Sequence, residues 1–193
     1  MAELPEPRQV LLFSGHRVDA PDRAQPRFPP ALVPAVERRL AAELEQLGAG
    51  ASDLALCQAA AGGDLLFLEA CQARGVACRV LLPSDESAFI AESILSSSDG
   101  QDWLQRWQQV RQRLAEPPRC LGDELGPTPP AVDRYERCNR WLLDSALAFG
   151  ADRLRFLCLW DGKPGDGPGG VRHMIDAVQA LGGTVRRIDM QSP

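Results

Sequence analysis

The sequence predicts a single three-layer α/β domain, with a mostly parallel sheet and helices on both of its faces. Two patterns predict it. Short continuous apolar runs recur along the chain, each stopped by glycine, proline or charge, and such runs suit strands covered on both faces. Helical stretches with an apolar stripe lie between them on short connections, and a repeated β-α-β order with right-handed crossovers gives a parallel sheet. A third observation places the chemistry: glycine and charge gather after three of the runs, at Ser14–Arg17, Ala59–Asp64 and Asp161–Gly170.

The elements follow in order. Gln9–Phe13 (QVLLF) reads as the first strand, and the Pro-, Asp- and Arg-rich stretch Val18–Pro30 as an irregular loop. A helix runs from about Pro34 to Leu47 with Val36, Leu40, Leu44 and Leu47 as its stripe, ended by Gly48 and Gly50. Asp53–Ala61 reads as the second strand. It leads through Gly62-Gly63 into a helix that is apolar almost all round, where Glu69 and Gln72 share the one polar face and take a solvated or structural role. Ala77–Leu82 is a third strand stopped by Pro83.

The middle of the chain is less regular. Phe89, Ile90, Ile94 and Leu95 mark one apolar segment, and Trp103, Trp107, Val110 and Leu114 fall at helical spacing as a packed stripe. Glu116–Pro130 reads as a surface loop with at most one short strand. Val132–Phe149 is a helix lined by Tyr135, Cys138, Leu142, Ala146 and Phe149, with Asn139 beside that stripe and Arg134, Arg137 and Arg140 further out. Leu154–Trp160 is a fourth strong strand, Val171–Leu181 a helix, and Thr184–Met190 the last strand. The whole of residues 1–193 reads as one domain.

Composition narrows the function. A 45% apolar and 24% charged chain is ordinary for a globular protein. A net charge of −5 argues against a large nucleic-acid footprint, which needs a basic face. No apolar run is long enough to span a bilayer, and MAELPEPRQ lacks a signal-peptide core. The six cysteines contain no C-x-x-C and lie mostly in apolar segments, as expected of reduced thiols in a cytoplasmic protein. With His16 and His173 as the only histidines, no metal site is expected.

In an open parallel sheet, ligands bind beyond the carboxyl ends of the strands where strand order reverses. The three glycine-and-charge loops are therefore the candidate site. Gly62 and Gly63 permit backbone angles other residues resist, and the helix after them offers unpaired N–H groups and partial positive charge to an anion. Asp64 can cap that helix or accept from a ligand hydroxyl. Arg17 can fork onto a phosphate or carboxylate, or clamp the neighbouring loop. Ser14, Gly15 and His16 share its loop, and His16 can contact a ligand or serve the structure. Asn139 needs a hydrogen-bond partner, in a loop or in a ligand. Gly165, Gly167 and Gly170 match the spacing of a dinucleotide fingerprint, but Asp161–Pro164 separates them from the strand. With Gly162, Lys163 and Gly169 they read better as a flexible phosphate cradle.

LLFSGHR, AAAGGDLLFLEA and WDGKPGDGPGG together resemble the SLOG superfamily. This is the Rossmann-like group that includes the DNA-uptake protein DprA, the LOG phosphoribohydrolases and sensor domains of bacterial conflict systems. The resemblance covers nearly the whole chain, with Gly15-His16-Arg17 and Gly62-Gly63-Asp64 as its two short elements. It implies a nucleotide or nucleotide-derived ligand at these loops, no separate cofactor, and a homodimer. The LOG enzymes carry Pro-Gly-Gly-x-Gly-Thr-x-x-Glu, whereas Pro168–Asp176 here has Arg172 and His173 for the Gly and Thr and Asp176 for the Glu. The chain thus departs from the LOG reaction where its chemistry is carried.

The expected function is a binding or sensor protein for such a ligand, with no nucleic-acid or membrane partner. Two alternatives stand beside it. One is an enzyme cleaving an N-glycosidic bond, with Asp64 or Asp161 stabilising the sugar cation or acting as nucleophile or base. The other is a protein-interaction module with a vestigial pocket, whose mark would be an exposed Trp103/Trp107 helix.

Overall fold

The computed structural model describes residues 6–163 and 171–190, apart from the side chain of residue 173. A six-stranded sheet is built from β1 (Val10–Gly15), β2 (Leu54–Cys57), β3 (Ala77–Leu82), β4 (Arg119–Cys120), β5 (Leu154–Leu159) and β6 (Val185–Ile188). Its order is β4-β3-β2-β1-β5-β6 and every pair is parallel. This is a Rossmann-like α/β architecture. The chain steps from β1 outward through β2 to β4, then crosses to the other side of β1 for β5 and β6. The direction of winding therefore reverses between β1 and β5.

Seven α-helices are described: α1 (Val33–Gln46), α2 (Gly63–Ala73), α3 (Glu86–Ser93), α4 (Gly100–Gln112), α5 (Leu121–Leu125), α6 (Arg134–Leu147) and α7 (Val171–Ala180). Period-two alternation along β1 divides the core. Leu11 and Phe13 belong to a cluster with α1, α2 and α4, whereas Val10 and Leu12 belong to a second cluster with α6 and α7. Both faces of the sheet are thus covered, which is why Val10–Phe13 of β1 is apolar without interruption. Phe13 stacks on Phe67 of α2 at 4.6 Å between ring centres. Leu65, Leu66, Phe67 and Leu68 are all at most 2% exposed, each contributing roughly 1.5–3 kcal/mol of apolar burial.

Several boundaries differ from expectation for identifiable reasons. β1 continues through Ser14 and Gly15 because β5 pairs with it there, in register with Cys158 and Leu159. The second strand stops at Cys57 instead of Ala61. Beyond it the backbone partners come from the end of α3 and from the loop after β1: Ala61 N–H donates to Ser93 O at 2.9 Å, and Ala61 O accepts from Val18 N at 2.9 Å. The Glu116–Pro130 segment holds β4 and the short α5 besides loop, tied down by Arg137 donating to Leu125 O and Gly126 O. α6 begins two residues later than expected, where Asp133 accepts from Glu136 N at 2.9 Å as its N-cap.

Trp103 and Trp107 are packed in the core, 5% and 0% exposed, so the mark of an exposed aromatic helix is not there. Glu69 has a structural role, paired with Arg106 of α4, which also reaches Glu37. All six cysteines are free thiols, and burial pushes Cys57, Cys71 and Cys138 well above the usual thiol range. Among the described residues, no helix is long and apolar enough to cross a membrane.

Candidate functional site

A cavity of about 520 Å³ opens at the carboxyl end of β1, at the point where the winding reverses. Its walls come from two of the three loops the sequence singles out, from Asn139, and from residues the sequence does not mark; no described residue of the third loop, Asp161–Gly170, lines it. Ser14, Gly15, His16 and Arg17 line it from the end of β1, Gln58, Ala60 and Asp64 from the turn after β2, Asn139 from α6, and Trp160 from the end of β5. The unexpected wall is the Pro-rich loop, which contributes Asp19, Arg23 and Arg27.

The first two loops are zipped together by their backbones. Gly63 N donates to His16 O at 3.0 Å, Val18 N donates to Ala61 O, and Arg17 forms an antiparallel bridge with Gly62. Gly62 has φ +110°, and a Cβ there would lie 2.6 Å from the Val18 nitrogen. The glycine is required by this approach of two chain segments. This corrects the expectation for Gly62 and Gly63: they join loop to loop beneath the cavity and do not line it.

Asp64 is likewise redirected. It sits in the first turn of α2, whose N-cap residue is Gly62. Its carboxylate does not cap that helix; Oδ2 turns back to accept from Ala59 N at 3.2 Å and Ala60 N at 3.1 Å. Ala59 takes φ +107°, unusual for a residue with a Cβ, and sits beside this pair of converging N–H groups. Asp64 is 7% exposed and faces the cavity. Burial pushes its carboxyl up to about 6, against the pull of the Ala60, Ala59 and Gly15 N–H groups.

Asp161 does not line the cavity itself but anchors two residues of its opposite wall, His16 and Arg27. Arg27 Nε donates to its Oδ2 at 3.0 Å and Arg27 Nη2 to its Oδ1 at 2.9 Å. His16 Nε2 lies 3.2 Å from Oδ1, and Lys163 N donates to the same oxygen at 3.0 Å. Burial alone would raise Asp161, but the Arg27 fork, the Lys163 N–H and His16 outweigh it and hold the carboxyl well below the usual range. Gly162 and Lys163 form the turn on which Asp161 sits, and Lys163 O accepts from Trp160 Nε1 at 2.7 Å. Neither Gly162 nor Lys163 lines the cavity. Both oxygens of Asp161 are engaged, so it positions His16 and Arg27.

Arg17 is exposed at the rim, with Nη1 donating to Glu92 O. Asn139 is 3% exposed, and its Oδ1 accepts from Gln58 Nε2 at 2.8 Å. Gly167, Gly169 and Gly170, with Gly165, lie outside the described residues. Among those described, no group of three or more His, Cys, Asp or Glu side chains could hold a metal ion.

Sequence reasoning missed Arg27 and Gln58. No local pattern marks Arg27; the structure shows its loop folded on itself, with buried Asp19 accepting from Arg27 N and Phe28 N, and Phe28 fully buried.

No protein-family model matches this chain, and no curated protein matches it.

Proposed function

We propose that this is a cytoplasmic binding or sensor protein of SLOG type, which holds a nucleotide or nucleotide-derived small molecule at the carboxyl edge of its sheet. The observation that carries this reading is the convergence of Ser14–Arg17, Ala60, Asp64 and Asn139 on one cavity at the reversal of strand order, with Arg17, Arg23 and Arg27 along its wall. Arg17, which donates to a backbone carbonyl whereas Arg23 and Arg27 are ion-paired with Asp19 and Asp161, suits an anionic ligand, and about 520 Å³ lies within the range of small-molecule sites. Thermal-shift measurements against nucleoside monophosphates, cyclic nucleotides and ADP-ribose test it. At least one is expected to raise the melting temperature, with the shift reduced in Arg17→Ala and Asp64→Ala. A folded sample that responds to none of them refutes the proposal.

A specific observation favours a second reading, cleavage of an N-glycosidic bond. Asp64 faces the cavity and keeps its proton up to about pH 6, which suits an acid that protonates a departing base. Chromatographic release of free base from a nucleotide panel, abolished in Asp64→Asn, would establish turnover. Binding without release leaves the sensor reading in place.

A further inference from the structure

Gln58 follows β2 directly and lines the cavity, half-buried. Its Nε2 donates to Asn139 Oδ1 at 2.8 Å. Asn139 is itself buried on α6, a helix packed on β1, β2 and β3, so the Gln58 amide is held against a fixed part of the fold. One of the two N–H groups is spent on Asn139, and Oε1, to which no described residue donates, is the acceptor that Gln58 offers.

Position gives that oxygen its meaning. Gln58 stands at the β2 side of β1, whereas Arg27 and His16, tied to Asp161, stand at the β5 side. β2 and β5 are separated by two strand spacings, about 10 Å. That is comparable with the reach from the phosphate of a nucleotide to the hydrogen-bonding edge of its base. Gln58 and Asn139 are the two carboxamides among the described residues of the lining.

We infer that Gln58 determines which base the cavity takes: its Oε1 accepts from an exocyclic amino group, selecting amino-bearing adenine or cytosine over oxo-bearing hypoxanthine or uracil. The inference rests on the nucleotide reading above. An oxo group against Oε1 brings two acceptors together and leaves both without a partner, which a site built for a donor rejects strongly. A ribose hydroxyl could supply the same donor, and the test separates the two.

The experiment is calorimetric titration of AMP, IMP and 2′-deoxy-AMP into the full chain and into Gln58→Met and Asn139→Ala, with folding of each variant checked by thermal unfolding. The full chain is expected to bind AMP at least tenfold more tightly than IMP. Gln58→Met should erase that preference by weakening AMP, and Asn139→Ala should narrow it by releasing the amide. Equal affinity for AMP and IMP, or a preference that survives Gln58→Met, overturns the assignment and leaves the nucleotide reading standing. A penalty for 2′-deoxy-AMP that disappears in Gln58→Met also overturns it, because Oε1 then serves the ribose. If neither AMP nor IMP binds, the assignment falls. If the wider nucleotide panel fails as well, the parent reading falls with it.

Discussion

Arg27 and Asp161 lie 134 residues apart in sequence and meet as a two-pronged ion pair, Nε to Oδ2 at 3.0 Å and Nη2 to Oδ1 at 2.9 Å. Their side chains are 11% and 8% exposed. The pair joins the proline-rich loop to the end of β5 and so closes one wall of the cavity.

Arg27→Ala should destabilise the fold by about 2–4 kcal/mol, because it leaves a mostly buried carboxylate with only His16 and the Lys163 N–H. Arg27→Lys keeps the charge but loses the fork, and should recover part of that loss. The pH dependence has a definite sign. Asp161 is held below its ordinary 3.8, so its stabilisation is present above that pH and is lost as the pH falls below it toward the folded value. Urea unfolding between about pH 2 and pH 7 should show a shallower acid limb in Arg27→Ala. An unchanged limb would mean that the ion pair contributes nothing.

Asp64 works in the opposite direction. Its folded value of about 6 lies above the ordinary 3.8, so its contribution is greatest below about pH 4 and is lost as the pH rises through 6. The difference amounts to roughly 3 kcal/mol. Asp64→Asn should remove this dependence and raise stability at pH 8 by up to about 3 kcal/mol, as measured by chemical unfolding at pH 5 and pH 8. Lower stability of the variant at pH 8 would show that the ionised carboxylate is a net stabiliser.

Gly62→Ala should cost roughly 3 kcal/mol or more, the sum of an unfavourable positive φ and a Cβ pressed on the Val18 backbone. Gly48 provides the control. It too has positive φ, +59°, but open space around it, so Gly48→Ala should cost only about 1 kcal/mol. Equal costs for the two variants would remove the steric part of the account.

Trp107 is fully buried, and its Nε1 has no partner among the described residues. Trp107→Phe removes that unsatisfied donor together with some packing, and the two effects nearly offset, to within about 1 kcal/mol. Trp107→Ala should cost about 3–5 kcal/mol. Thermal unfolding of both variants separates the indole's packing from its hydrogen-bonding deficit.

The layers of this fold were legible because both faces of the sheet are covered: VLLF and FLCLW are apolar throughout, and the helical stripes of α1, α4 and α6 are regular. The end of β2 was not legible. Gln58–Ala61 is as apolar as a strand, but Asp64, folding back from the next helix, takes the backbone N–H groups of Ala59 and Ala60. Such a tertiary competitor leaves no periodic trace. For the cavity, Ser14–Arg17, Asp64 and Asn139 stood out because each is a polar group where an apolar run or stripe stops. Arg27 did not, since an arginine in a charged loop has no local pattern to violate, and its partner lies far along the chain. Gln58 was hidden for a similar reason: only α6, folding over the strand end, gives its amide a direction.

The position of β1 in the middle of the sheet has a consequence for biosynthesis. Its neighbour on one side, β2, follows soon after it, but β5, in register with it from Val10↔Leu154 to Gly15↔Leu159, emerges from the ribosome about 140 residues later. At ordinary rates of translation that is a delay of roughly 10–30 s. Throughout it, the central strand of the protein has one edge open to pairing with other nascent chains, so a chaperone that shields that edge should raise the yield of correctly folded material.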